Sequence, residues 1–266
     1  MCNLYHMSPR DDFEIYVRRH IGKLWLPEEP PRPIVGPFDT GMFLIPAGDG
    51  GLTGRLGQWG MIRAGQRERV EYKEYPSKKP GGQPRRESML KNNARVETVA
   101  SSPAFKDAWR GGRRCLIPAL RLQEPNWQTG KCVWWQLRRA DELPWMVGGI
   151  WSEWTDPESG ELVNNYAMLT FNVDDHPLLN RLHRPEKDRV TGEVLPPEKQ
   201  DKRGSAHIEP AHWTTWLQGS IDEAKALLVA PPAEFYDKSD AQRMDEMLTG
   251  ISSQSVSQRG LIAGNT

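Results

Sequence analysis

Cysteine at position 2 offers chemistry that no internal residue can. Methionine aminopeptidases remove Met1 when the next side chain is small, and Cys2 meets that condition. The chain would then begin with an amine and a thiol on adjacent carbons, a 1,2-aminothiol. An α-amino group titrates near about 7.7–8.0, so roughly a tenth or more of it is neutral at pH 7. A neutral amine attacks an aldehyde to give a Schiff base. The neighbouring thiol can then add to the imine carbon and close a five-membered thiazolidine ring. His6 lies near Cys2, yet two such ligands without partners make a poor zinc site.

Further polar residues stand where they could serve such a reaction. The run Asn93-Ala94-Arg95-Val96-Glu97-Thr98 is followed by Arg114-Cys115-Leu116-Ile117-Pro118, with Glu124 a few residues on. Thr170 lies in the apolar run Tyr166–Phe171, and His183 ends the segment that starts at His176. A carboxyl group and an imidazole suit proton transfer near neutral pH. Each also has a plain structural reading. Arg95 and Glu97 could form an ordinary ion pair, Glu124 could be a turn residue before Pro125, and His183 could cap a helix end.

The elements that must hold these residues are legible in outline. Short runs rich in aromatic or β-branched residues predict strands over Cys115–Pro118, Cys132–Leu137, Trp145–Trp151 and Tyr166–Phe171. Cys115 and Cys132 then read as buried strand residues, because free cysteine packs as a small hydrophobe. Helices are expected over Asp11–Ile21, Pro103–Arg110 behind a Ser102 cap, Pro210–Gln218 and Asp222–Val229. Strands fill the middle and helices flank them without βαβ alternation, which indicates an α+β domain. Pro76–Arg86 reads as an exposed loop, and Ser252–Thr266 as a disordered tail.

Composition narrows the class. The 266 residues fit one large domain or two small ones. Three cysteines without a CxxC pair argue against a disulfide framework and a cysteine-built zinc site. No apolar run reaches transmembrane length, and Met1–Arg10 lacks the apolar core of a secretory signal, so a cytoplasmic protein is expected. Net charge is zero, but Arg63–Arg114 carries 14 basic residues against 6 acidic ones, and Glu193–Glu246 carries 6 against 11. A basic stretch of that kind can face phosphates despite overall neutrality. Arg85 and Arg86 are its candidates for contacts in the loop. Trp59, beside the same stretch, is a candidate for stacking on an unpaired base.

Taken in order, Cys2, Trp59-Gly60, Asn93 to Thr98, Arg114-Cys115 with Glu124, and Thr170 with His183 resemble the pattern of the SRAP family, the SOS-response-associated peptidase-like proteins that shield abasic DNA. The likeness runs from Cys2 to about Leu217. It implies a single SRAP-like domain over 1–250, with a β-rich, barrel-like core flanked by helices and a tail over 251–266. It implies a monomer that binds single-stranded DNA containing abasic sites, at the nucleoid when engaged, with no metal and no organic cofactor. Cys2 would be the nucleophile through amine and sulfur, and an abasic site in its ring-opened form is the aldehyde. Asn93 would hydrogen-bond near the reacting amine, Arg95 would hold a flanking phosphate, and Glu124 and His183 would move protons. Lyase chemistry would accompany crosslinking, and any proteolysis would be self-directed. Two departures stand out. Leu122-Gln123-Glu124-Pro125 replaces Phe-Tyr-Glu-Trp, and Arg184-Pro185-Glu186-Lys187 after His183 points to an insertion. Two other classes remain open on these residues: an N-terminal-nucleophile amidohydrolase, which also begins Met-Cys, and a non-catalytic single-stranded DNA-binding module.

Overall fold

The computed structural model describes residues 3–77, 79 and 81–249; Cys2 and the tail over 251–266 lie outside the described residues. In chain order the strands are β1 (Tyr5–Met7), β2 (Leu24–Trp25), β3 (Ile34–Val35), β4 (Thr40–Pro46), β5 (Leu52–Trp59), β6 (Tyr72–Tyr75) and β7 (Arg85–Ser88). They continue with β8 (Asn93–Arg95), β9 (Arg114–Asn126), β10 (Val133–Leu137), β11 (Trp145–Thr155), β12 (Leu162–Asn172) and β13 (Arg203–Ser205). The helices include α1 (Arg10–Ile21), α2 (Lys106–Arg110), α3 (Trp213–Gln218) and α4 (Ile221–Ala226). No helix among the described residues is long and apolar enough to cross a membrane.

β11, β12, β5, β4 and β9 pair in that order, and β9 pairs back onto β11, which closes a five-stranded barrel. The β12–β5 seam is parallel and the other seams are antiparallel. Closure removes the free edges that a five-stranded sheet would expose. Tyr166–Phe171 of β12 is buried at every position rather than at every second one, the pattern of a wall covered on both sides. α3 covers the neighbouring staves β9 and β11, where the Trp216 indole donates to the Cys115 carbonyl at 2.9 Å. Gly148 permits the approach, since a Cβ there would lie 3.0 Å from the Trp216 ring. α1 buries Phe13, Tyr16 and Val17, spaced for one helical face, with Asp11 and Asp12 in its first turn and basic residues in its last.

Several expectations are revised. β4 and β5, two of the five barrel staves, lie outside the expected strands. The strand expected at Cys115–Pro118 is the start of β9, which runs on to Asn126. Cys115 is buried, but Cys132 is exposed and precedes β10. The Pro103–Arg110 helix contracts to α2, which has no side-chain cap. Pro210–Gln218 divides into a 3-10 turn and α3, and α4 is capped by the reciprocal Ser220–Glu223 pair. Arg85 and Arg86 belong to a two-stranded ribbon, β6–β7, rather than to a loop.

Candidate active site

The site is built where β9 leaves the barrel. Its first half pairs with β11, its middle with β1, and its end with β10. Pro118 and Pro125 lack the N–H donor, and β9 changes partner beside Pro118, at Ala119, and again at Leu122. Glu124 sits near the far end, opposite Trp135, with only 4% of its surface exposed. It is a strand residue, so the turn reading does not hold.

His183 meets it from another segment. After β12 the chain makes a 3-10 turn over Leu179–Arg181, and Leu182 bridges to the buried Asn126. Asn126 donates to the Arg181 carbonyl and accepts from Gln128 N–H, which pins this turn to β9. His183 then takes φ 61°, in the left-handed region that non-glycine residues seldom occupy. Its N–H donates to the Pro125 carbonyl at 2.6 Å, and its Nε2 lies 2.9 Å from Glu124 Oε2. Leu182 rather than His183 ends the 3-10 turn, so the capping reading is also replaced. Nδ1 of His183 is buried and has no hydrogen-bond partner among the described residues. With Nε2 facing the carboxylate, Nδ1 is the ring nitrogen without a partner there.

The start of the chain arrives from a third direction. Tyr5 of β1 pairs with Leu122, and Gln123 N–H donates to the Leu4 carbonyl at 2.9 Å. Asn3 Oδ1 accepts from Asn92 Nδ2 at 3.4 Å. The neighbour of Cys2 therefore touches the neighbour of Asn93. β8 lies parallel to β12, with Asn93 opposite Met168, and this pairing sets Asn93 in the same region.

The rest of the Asn-Ala-Arg-x-Glu-Thr run does structural work as well. Ala94 is buried. Arg95 is exposed and pairs with Asp201 at 2.7 Å, while Glu97 binds Arg203 through both oxygens at 3.0 and 2.7 Å. The expected Arg95–Glu97 ion pair is thus replaced by two pairs to the segment before and within β13. The Arg203 guanidinium holds the Glu97 carboxyl below the usual carboxylate range. Thr170 is buried, and its hydroxyl lies 3.5 Å from the Ala94 carbonyl.

Other expected contacts lie apart. Trp59 is fully buried, edge-on to Tyr5 at 5.0 Å, so it presents no face to a base. Arg85 and Arg86 are exposed on β7, where Arg86 stacks over Tyr72 at 4.0 Å and Arg85 over Tyr75 at 5.6 Å. Not all of the basic stretch faces outward: Lys91 is buried against Gln66 and Glu71, and Arg114 donates to the carbonyls of Trp216 and Gly219.

Sequence reasoning missed Lys202, at the mouth of β13. Its Nζ donates to the carbonyls of Leu182 and His183 at 2.7 and 2.9 Å, and burial lowers its pKa. No motif marks it. A cavity of about 400 Å³ opens beside His183, walled by Trp127, Pro185, Leu195 and Lys202 among others.

The fold and this arrangement have counterparts. The chain is similar to a structure from Bordetella bronchiseptica, 25% identical with a TM-score of 0.67, over 89% of this chain and 97% of the other. It is also similar in fold to a structure from Bacteroides thetaiotaomicron at 17% identity and a TM-score of 0.59, covering 89% and 90%. A phage-related protein from Bordetella bronchiseptica shares the fold at 16% identity and a TM-score of 0.54, covering 89% and 92%. Among curated proteins no relative matches. The family description "SOS response associated peptidase (SRAP)" matches residues 4–245, nearly the whole chain and all of the site's described residues except Asn3. With a closed barrel that sets Glu124, His183 and the Asn93 strand around the entering N-terminal segment, this chain belongs to the SRAP family.

Proposed function

We propose that the protein recognises abasic sites in single-stranded DNA and joins them covalently through Cys2. The observation that carries this reading is the buried Glu124–His183 hydrogen bond beside the segment that delivers residue 3 to Asn92. The Cys2 amine attacks the C1 aldehyde of the ring-opened sugar, and the carbinolamine loses water to give an imine. Glu124 and His183, joined by their hydrogen bond, handle the protons of that dehydration and of sugar ring opening. The thiol then adds to the imine carbon, its proton passes to the ring nitrogen, and a thiazolidine forms. Without the thiol step, elimination at the imine would break the strand, which is the lyase branch. The amine must be free, so self-directed removal of Met1 or its removal by an aminopeptidase precedes the chemistry.

The test uses protein whose lack of Met1 has been verified by intact mass. Mixed with a single-stranded oligonucleotide holding one abasic site, it should give a heat-resistant protein–DNA adduct, and none with the intact oligonucleotide. Glutamine hydrolysis without an adduct would instead identify an amidohydrolase. Affinity without any covalent product would identify a binding module.

A further inference from the structure

We infer that Lys202 is a positioning residue for the proton-transfer pair, acting through the backbone of His183. The inference rests on the reading of Glu124 and His183 as proton carriers.

His183 holds a left-handed backbone that is costly for a non-glycine residue. Something must over-determine that conformation, and two contacts do so. On one side the His183 N–H is bound by the Pro125 carbonyl, directly next to Glu124 in β9. On the other side the Lys202 ammonium bridges the carbonyls of Leu182 and His183, which belong to the two peptide units on either side of the His183 Cα. Lys202 is itself fixed. Its N–H donates to Asp174 Oδ1 at 2.7 Å, its carbonyl accepts from Val173 N–H at 2.9 Å, and it is only 7% exposed. Arg203, the next residue, is locked to Glu97 and to the Thr170 carbonyl. A cation anchored between the end of β12 and the start of β13 thus fixes the residue whose side chain must meet a carboxylate on β9.

Lys202 touches two main-chain oxygens rather than the imidazole, so its removal should leave both proton carriers present but misaligned. A misplacement on the scale of an ångström costs about 10²-fold in rate. Lys202→Met keeps the length of the apolar stem and deletes both hydrogen bonds, and Lys202→Arg retains donors. Single-turnover crosslinking by Lys202→Met should slow by about 10²-fold, while affinity for an undamaged strand stays unchanged and Lys202→Arg recovers a substantial part of the rate. A structural role elsewhere would add its effect in any background. Action through His183 predicts instead that Lys202→Met causes little further loss once His183→Ala is present, a coupling that a double-mutant cycle measures directly.

A readout independent of DNA separates the two layers of the argument. The proton shared by His183 Nε2 and Glu124 should give a downfield NMR resonance that Glu124→Gln abolishes. Lys202→Met should shift or broaden it, with the amide spectrum of the barrel unchanged. If that resonance moves while His183→Ala still crosslinks at full rate, the positioning stands and the proton-transfer reading falls. An unmoved resonance, or additive losses in the cycle, overturns the inference. Should Lys202→Met fail to fold, Asp174→Asn weakens the anchor of Lys202 and carries the same expectations in milder form.

Discussion

At the scale of single residues, the reaction divides between atoms that can be removed one at a time. Cys2→Ser keeps the terminal amine, because Met1 is still removed before serine, but it replaces the thiol with a poor nucleophile toward an imine. The variant should lose the heat-resistant adduct, retain one trapped by borohydride, and cleave the strand more than the parent does. A heat-resistant adduct from Cys2→Ser would rule out thiazolidine closure. Glu124→Gln and His183→Ala should each preserve folding and noncovalent binding, while single-turnover crosslinking falls by about 10²–10⁴-fold. Gln can still accept from Nε2 at the 2.9 Å separation, so the Glu124→Gln loss reports proton transfer more than geometry. Undiminished rates in both would remove these residues from the mechanism. The residue types were legible because the motif order marked them. Lys202 was not, since a lysine that binds carbonyls carries no signature of spacing, and neither was the left-handed backbone of His183.

Among the elements, β9 and the β6–β7 ribbon have separate tasks. β9 is at once a barrel stave and the carrier of Glu124, and β1 rests on it. Under β1 the Tyr5 and Tyr166 hydroxyls meet at 2.5 Å, in space left by Gly41 of β4. A Cβ at Gly41 would fall on both hydroxyls. Gly41→Ala should therefore cost about 1–3 kcal/mol in denaturant unfolding, as overpacked cores do. It should also slow the proposed crosslinking by loosening β1, the strand that follows Cys2 in the sequence. An unfolding free energy equal to the parent's would show that this contact is slack. The ribbon, in contrast, is exposed at every position, and its cations stack on Tyr72 and Tyr75. If it follows the strand's phosphates, Arg85→Ala with Arg86→Ala should lower the slope of log affinity against log salt by up to about 1.4, two contacts' worth on single strands. An unchanged slope would assign the electrostatics to other residues. The aromatic strands β10, β11 and β12 were readable because their side chains declare a pleated, buried surface. β4 and β5 were hidden by Gly41, Gly54 and Gly57, which are needed for close approach and add nothing to an apolar pattern. The far half of β9 was hidden by its prolines. The burial of Trp59 was not legible because tryptophan near basic residues looks the same in sequence whether it faces a strand of DNA or packs in the core.

For the whole molecule, acidification should act in two stages. His207 is nearly sealed, with its Nε2 2.8 Å from an Arg139 nitrogen and 3.2 Å from Glu209. Burial lowers its pKa from the ordinary 6.5, against the opposing pull of the Glu209 hydrogen bond. The unfolded chain therefore takes up this proton first as pH falls. The stability this group contributes is intact above 6.5 and declines as pH drops toward the folded value. The carboxyls of Glu97 and Glu209 are held low by hydrogen bonds to Arg203 and His207, so their contribution is lost only below about pH 4.3. Melting temperature should fall in both windows, and His207→Gln should flatten the first and, by removing the partner of Glu209, reduce the second to the Glu97 share; a parent profile level from pH 7 to 5 would count against it. The order in which the barrel can form has a further consequence. β1 is held between β3 and β9, and a lone β1–β3 pair is too small to be stable. Its main partner, around Ala119–Leu122, is synthesised more than a hundred residues later. At about 5–20 residues per second, the nascent terminus stays undocked for on the order of ten seconds. Translation speed thus sets how long the N-terminal segment stays unpaired, and slow codons before β9 would prolong that interval.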